Sequence, residues 1–185
     1  MKRLKQYTII GILFVLITGS LAHFLYKWSG SHALAGLFTP VSESIWEHMK
    51  LLFFPMLIYA FFMARRLKKD YPCINSSLCL GILAGTLLIP VLFYTYSNIW
   101  GRDIFILDIG TFIVSVLAAF FISYRSALSC KARSYAALLY ILVCILFVCF
   151  LLFTYHPPAL PIFADPCSNI YCVASGSYLK PYLYE

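Results

Sequence analysis

Five stretches of about 20 predominantly apolar residues dominate this chain, at 7–26, 41–63, 76–96, 104–124 and 135–155. Each is long enough to cross the hydrocarbon of a bilayer as a helix, and together they use up most of the 185 residues. In lipid every backbone N–H and C=O must be satisfied within its own segment, so runs of this kind fold as helices packed on one another. The predicted fold is all-α: a polytopic transmembrane helical bundle over 1–156, followed by an external tail over 157–185. That tail carries Pro157, Pro158, Pro161, Pro166 and Pro181, which preclude a sixth spanning helix. It is expected to lie irregularly on the membrane or over the bundle mouth. Charge on only 11% of positions, against roughly a quarter in a soluble domain, leaves no room for a separate water-exposed domain.

The net charge of +7 raises the question of nucleic acid. The cations stand in short clusters between apolar runs, with no basic stripe interleaved with aromatics, so nucleic acid is not the expected partner; the lipid bilayer is. Lys2, Arg3 and Lys5, then Arg65, Arg66, Lys68 and Lys69, then Arg125, Lys131 and Arg133 alternate with connections holding only Lys27, Arg102 and Lys180. Cytoplasmic loops collect Lys and Arg, so the N-terminus is expected in the cytoplasm and the tail outside. Should the small residues around Ser20-Leu21-Ala22 act as a signal-peptide cleavage site, four helices remain with the same sidedness. Gly11 and Gly19 offer the first helix small faces for close packing. Pro55 and Pro90 should kink the second and third membrane helices. The segment 27–39 is too short to span and reads as an interfacial or re-entrant piece.

With that orientation the ionisable groups fall into one layer near the outer face: His23, Glu43, Glu47, His48, Asp103, Asp108 and His156. Such groups are costly beside hydrocarbon and mark an interior or wet functional site. Thr39-Pro40 reads as the start of the second membrane helix, which would put Glu43 and Glu47 on one face, about 6 Å apart. Asp108, Thr111 and Ser115 make a polar stripe directed into the bundle. Three readings follow. In the first, His23, His48 and His156 hold a divalent metal such as Zn²⁺, Glu43, Glu47 and Asp108 do acid–base work, and the reaction is hydrolysis of a lipid-type substrate. In the second the groups are structural: Ser44-x-x-Glu47 is a capping box, His48 and Lys50 pair with the acids, and Asp103 caps the fourth helix. The outer surface then meets a membrane-protein partner or a second copy of the chain. In the third, Asp108 and Glu47 line an ion or proton pathway.

Of the seven cysteines, Cys73 and Cys79 should be reduced on the cytoplasmic side, and Cys144 and Cys149 should be small core hydrophobes. Cys167 and Cys172 share the external tail, where a local disulfide can form. The aromatic residues Tyr26, Trp28, Trp46, Tyr96 and Trp100 read as an interface belt at the outer boundary.

The runs His23-Phe24-Leu25-Tyr26-Lys27-Trp28-Ser29-Gly30 and Pro40-Val41-Ser42-Glu43-Ser44-Ile45-Trp46-Glu47-His48-Met49-Lys50 resemble a family of small bacterial integral membrane proteins of unknown function. The likeness is specific over 20–55. It implies a multi-pass protein of the bacterial plasma membrane and brings no activity with it. A looser similarity is to intramembrane metal hydrolases of the alkaline-ceramidase type, which use Ser, Asp and His near a membrane face. Those have seven helices and paired histidines on a late helix, where this chain has only His156.

Overall fold

Lys, Arg and Gln propagate a helix almost as well as Leu, so the first helix extends beyond its apolar window at the N-terminal end. It forms α1, Lys2–Trp28, in a computed structural model that describes residues 2–101 and 104–165. Gly30 and Ser31 then take left-handed φ values of 69° and 59° and reverse the chain. The short helix α2, Ala33–Phe38, follows, with the Leu34 N–H donating to His32 Nδ1 as its cap. It matches the expected non-spanning piece between the first two long helices.

The next helix begins later than its sequence suggests. Pro40 is not its first residue; α3 spans Ile45–Leu67 and residues 40–44 are non-helical. Two bonds hold the chain off the helix there: the Glu47 N–H donates to Ser44 Oγ at 3.4 Å, and the Val41 N–H donates to Glu47 Oε2 at 3.0 Å. Ser44 is therefore the N-cap, but Glu47 reaches back past it to Val41, so only half of the capping box forms. Helix α3 runs on through Pro55, and α4, Ile74–Trp100, runs on through Pro90. Helix α5, Phe105–Ser129, ends in a left-handed Cys130 and a 3₁₀ turn at Lys131–Tyr135. Helix α6, Ala136–Phe153, is followed by a 3₁₀ turn at Pro161–Phe163.

Helix α3 is the centre of the bundle. Met49, Leu52, Phe53, Met56 and Met63 on it are essentially inaccessible; its main neighbours are α4 and α1, and α6 meets it through aromatic side chains. Phe53 and Phe54 pack on Phe150 of α6, with ring centroids 5.0 and 5.9 Å away. Tyr59 donates its hydroxyl to the Tyr7 carbonyl of α1 at 2.6 Å. The small faces expected on α1 are used: a methyl group at Gly11 would overlap Tyr59 and Phe120, and one at Gly19 would overlap the Leu51 carbonyl and Phe112. Gly81 of α4 likewise lies against Ser123 and the Ala119 carbonyl of α5.

Outward, Ile10 and Ile17 of α1 and Leu138, Ile145 and Leu152 of α6 are exposed. The long helices, five among the described residues, are each long and apolar enough to cross a membrane. An apolar outer surface of this extent is compatible with lipid contact and costly in water.

The ten clustered cations gather at one end of the bundle. Arg3 bonds Asp70 there at 3.3 Å, both side chains exposed. The same end carries a disulfide between Cys73 and Cys130, with Cα atoms 5.4 Å apart. This corrects the expectation of a reduced Cys73: the antiparallel packing of α4 on α5 brings the start of one beside the end of the other, a proximity that compartment arguments do not see. Cys144 is also not a core residue but a free, exposed thiol on the outer face of α6, and Cys149 is half-buried. Arg102, Asp103, Cys167, Cys172, Lys180 and Pro166 onward lie outside the described residues.

Candidate functional site

At the other end, α1 carries His23 four residues, or one turn, beyond Gly19. The close approach at Gly19 therefore presses His23 toward the start of α3. The rings of His23 and His48 meet edge to face with centroids 5.3 Å apart. Glu43 lies between them. Its Oε2 is 3.6 Å from His23 Nε2 and 3.5 Å from His48 Nε2. Donor atoms of all three residues lie within 4.8 Å of one another. The side chains are 30%, 49% and 26% exposed, so the group is open to the surface while resting on packed helices.

The orientation of the His48 ring is fixed. Its Nδ1 lies 2.9 Å from the Ser44 carbonyl, which can only accept, so Nδ1 carries a proton and Nε2 is the nitrogen turned to Glu43. A histidine tied to a backbone carbonyl in this way is the usual arrangement behind a metal ligand.

The two glutamates do not share a face. Spacing of four makes neighbours only inside a helix, and the Ser44 cap starts the helix after Glu43. Glu43 turns out to the two imidazoles, whereas Glu47 is 3% exposed and turns inward. There Lys50, fully buried, donates to Glu47 Oε2 at 2.7 Å, to Thr154 Oγ1 of the α6 C-terminus at 2.7 Å and to the Gly36 carbonyl of α2 at 3.1 Å. All three ammonium protons are used. One lysine thus ties α2, α3 and the end of α6 directly beneath the histidine pair.

A cavity of about 670 Å³ opens beside the cluster, between α1, α3, α4 and α5. His23, Glu43, His48 and Asp108 stand on its wall, with Phe24, Leu51, Phe93, Phe105, Ile109 and Phe112 supplying apolar surface. Asp108, in the first turn of α5, accepts a hydrogen bond from the Tyr96 hydroxyl of α4. Thr111 and Ser115 continue inward from it as buried residues, so the expected stripe faces the bundle interior.

The described part of the tail lies over the same end, where Phe163 packs on Trp46 with ring centroids 4.8 Å apart. It brings up an acid that sequence reasoning missed. The Asp165 carboxyl accepts from the Glu43 backbone, and burial first, then the nearby Glu43 carboxylate, push it above the usual carboxylate range. The only sequence signal was the proline-rich run that stops α6 and turns the chain back. His156, by contrast, is exposed and is not one of the cavity-lining residues.

A model described as a family of unknown function (DUF6512) matches residues 1–173, a span that takes in all of this geometry. The chain belongs to that family. No curated protein and no solved structure matches this DUF6512 chain. Membership accords with the expectation of a family of unknown function; the 23–30 and 40–50 runs hold all three residues of the cluster. Of the groups expected in one layer, DUF6512 residues His23, Glu43, His48 and Asp108 meet around one cavity. Glu47 sits behind them in its pair with Lys50.

Proposed function

We propose that this DUF6512 protein is a multi-pass protein of the bacterial plasma membrane that holds a divalent metal near the outer face and hydrolyses a lipid-type substrate. The ligands are His23, His48 and Glu43, a two-histidine, one-carboxylate set of the kind that catalytic zinc sites use while keeping a position open for water. A tetrahedral ion with Zn–N bonds of ~2.0–2.1 Å needs donor atoms roughly 3.3 Å apart. The two distances to Glu43, 3.5 and 3.6 Å, are close to that already. The observation that carries the reading is this single carboxylate oxygen facing two ring nitrogens, one of them on a ring oriented by Ser44.

The metal would lower the pKa of its bound water to about 7 and polarise an ester or amide carbonyl held beside it. Asp108, held by Tyr96, would take the proton of the attacking water and pass it to the leaving group. The apolar cavity wall accommodates an acyl chain. Ten cations at the opposite end support an orientation with that end in the cytoplasm, which makes the Cys73–Cys130 disulfide there an exception to the reduced state usual for cytosolic thiols. His156 has no part in this set. Glu47 is a positioning residue: its bond to Lys50 and its hold on the Val41 N–H keep residues 41–44 where Glu43 can reach the histidines. To this extent the structural reading also holds, for Ser44, Glu47 and Lys50.

Metal analysis of the purified protein tests the proposal. About one equivalent per chain is expected, lost in His23→Ala and His48→Ala and kept in Asp108→Asn, which loses hydrolysis instead. A wild-type protein that stays metal-free after exposure to Zn²⁺ would overturn it, as would variants that fold and keep the metal.

A further inference from the structure

A second cavity lies at the basic end, far from the histidine cluster and unrelated to its chemistry. It is an open groove of about 750 Å³ between the start of α4, the last two turns of α5 and the turn into α6. Its apolar lining comes from Leu80, Phe121, Ile122 and Leu128, and its rim carries Arg125 and Lys131, with Tyr135 beside them. The two cations are brought together by the chain reversal at Cys130, whose φ of 57° turns Lys131 back toward α5. The disulfide to Cys73 anchors that reversal to α4.

Neither cation has a carboxylate within ion-pair distance among the described residues, and Asp70, the acid of this end, is taken by Arg3. One further group lacks a partner. Ser126, 8% exposed and part of the groove lining, has a buried hydroxyl with no hydrogen bond among the described residues. Two cations without ion-pair partners on the rim of an apolar groove, with a tyrosine beside them, form a site for a ligand with an anionic head and a hydrocarbon tail. Basic pockets between membrane helices recognise lipid phosphates in this way.

We propose that this groove binds an anionic phospholipid, its phosphate between Arg125 and Lys131 and an acyl chain along Phe121, Ile122 and Leu128. Inorganic phosphate lacks the tail that the floor requires and does not compete.

The test is lipid binding to the full-length protein in a neutral detergent, comparing phosphatidylglycerol with phosphatidylcholine of the same chains. Both lipids carry a phosphodiester, but choline's ammonium offsets it in phosphatidylcholine; with each cation worth about five-fold toward a net-anionic headgroup, the pair predicts a preference for phosphatidylglycerol of up to about thirty-fold. In Arg125→Gln/Lys131→Gln the two lipids should bind within about two-fold of each other, both positions being exposed and safe for folding. Arg65→Gln/Arg66→Gln, which removes two cations of the same end outside the groove, should leave the preference intact. Three results would each overturn the site: no preference in the wild type, an equal loss in the Arg65/Arg66 variant, or displacement of the lipid by millimolar inorganic phosphate. Because no histidine or glutamate of the metal cluster is touched, metal content stays at its wild-type level whichever way this result falls.

Discussion

Replacing Lys50 with Met keeps the length and most of the volume of the side chain, so no cavity opens, and removes only the ammonium. Its consequences can be worked from the contacts. The Glu47 carboxylate, 3% exposed, would keep the Val41 N–H and lose its ion-pair partner. The Gly36 carbonyl would lose the donor that holds α2 to α3, and Thr154 would lose a partner at the end of α6. Stranding one member of a buried ion pair costs about 3–5 kcal/mol, more than an unmade neutral hydrogen bond. We therefore expect Lys50→Met to lower stability by about 4 kcal/mol, and the transition in a heating scan by roughly 10 °C, at the 2–4 °C per kcal/mol usual for a chain of this size. Equilibrium unfolding in mixed detergent micelles, followed by tryptophan fluorescence, gives the free energy. The companion variant decides the cause. Glu47→Gln removes the stranded charge, so Glu47→Gln/Lys50→Met should be more stable than the sum of the two single losses by about 2 kcal/mol or more. A Lys50→Met protein within about 1 kcal/mol of wild type would refute the reasoning, as would strict additivity in the double variant.

Three further outcomes follow from the same contacts. Cys73→Ser or Cys130→Ser should cost about 4 kcal/mol from the loop entropy of a 57-residue separation; alkylation of intact cells before lysis should leave both thiols unlabelled in the wild type, and labelling of both would remove the bond from the native protein. Gly19→Leu should separate α1 from α3 because the new side chain meets the Leu51 carbonyl and Phe112; a loss of about 1–3 kcal/mol, accompanied by loss of metal, is expected from unfolding curves and metal analysis. His156→Ala should leave metal content unchanged, since this exposed histidine lies outside the cluster; a drop to the level of His48→Ala would return it to the ligand set.

Much of the site was legible in the sequence, and the parts that were not share a cause. His23, Glu43, His48 and Asp108 could be placed at one level because helix length and the charge asymmetry between connections set depth. The roles of Glu43 and Glu47 could not be told apart. Their spacing invites the same treatment, and what separates them is a helix start displaced from Pro40 to Ile45 by two hydrogen bonds, one of which comes from Glu47 itself. The destination of Lys50 was equally hidden, because one of its acceptors, Thr154, is 104 residues away. Asp165 reaches Glu43 only through a tail whose course no periodicity announces.

Taken alone, the order of residues determined that this chain makes long apolar helices, which of their ends carries the cations, and that His23, Glu43, His48 and Asp108 stand near the other end. Those properties are local: they follow from the hydrophobicity of successive residues and from where charge is tolerated, whatever the helices pack against. Which acid met which base, that Cys73 met Cys130, and that His23 met His48 were decided by tertiary packing. A glycine contact between α1 and α3, a capped turn before α3 and the antiparallel seating of α4 on α5 set rotations and registers between segments, and no single segment contains that information.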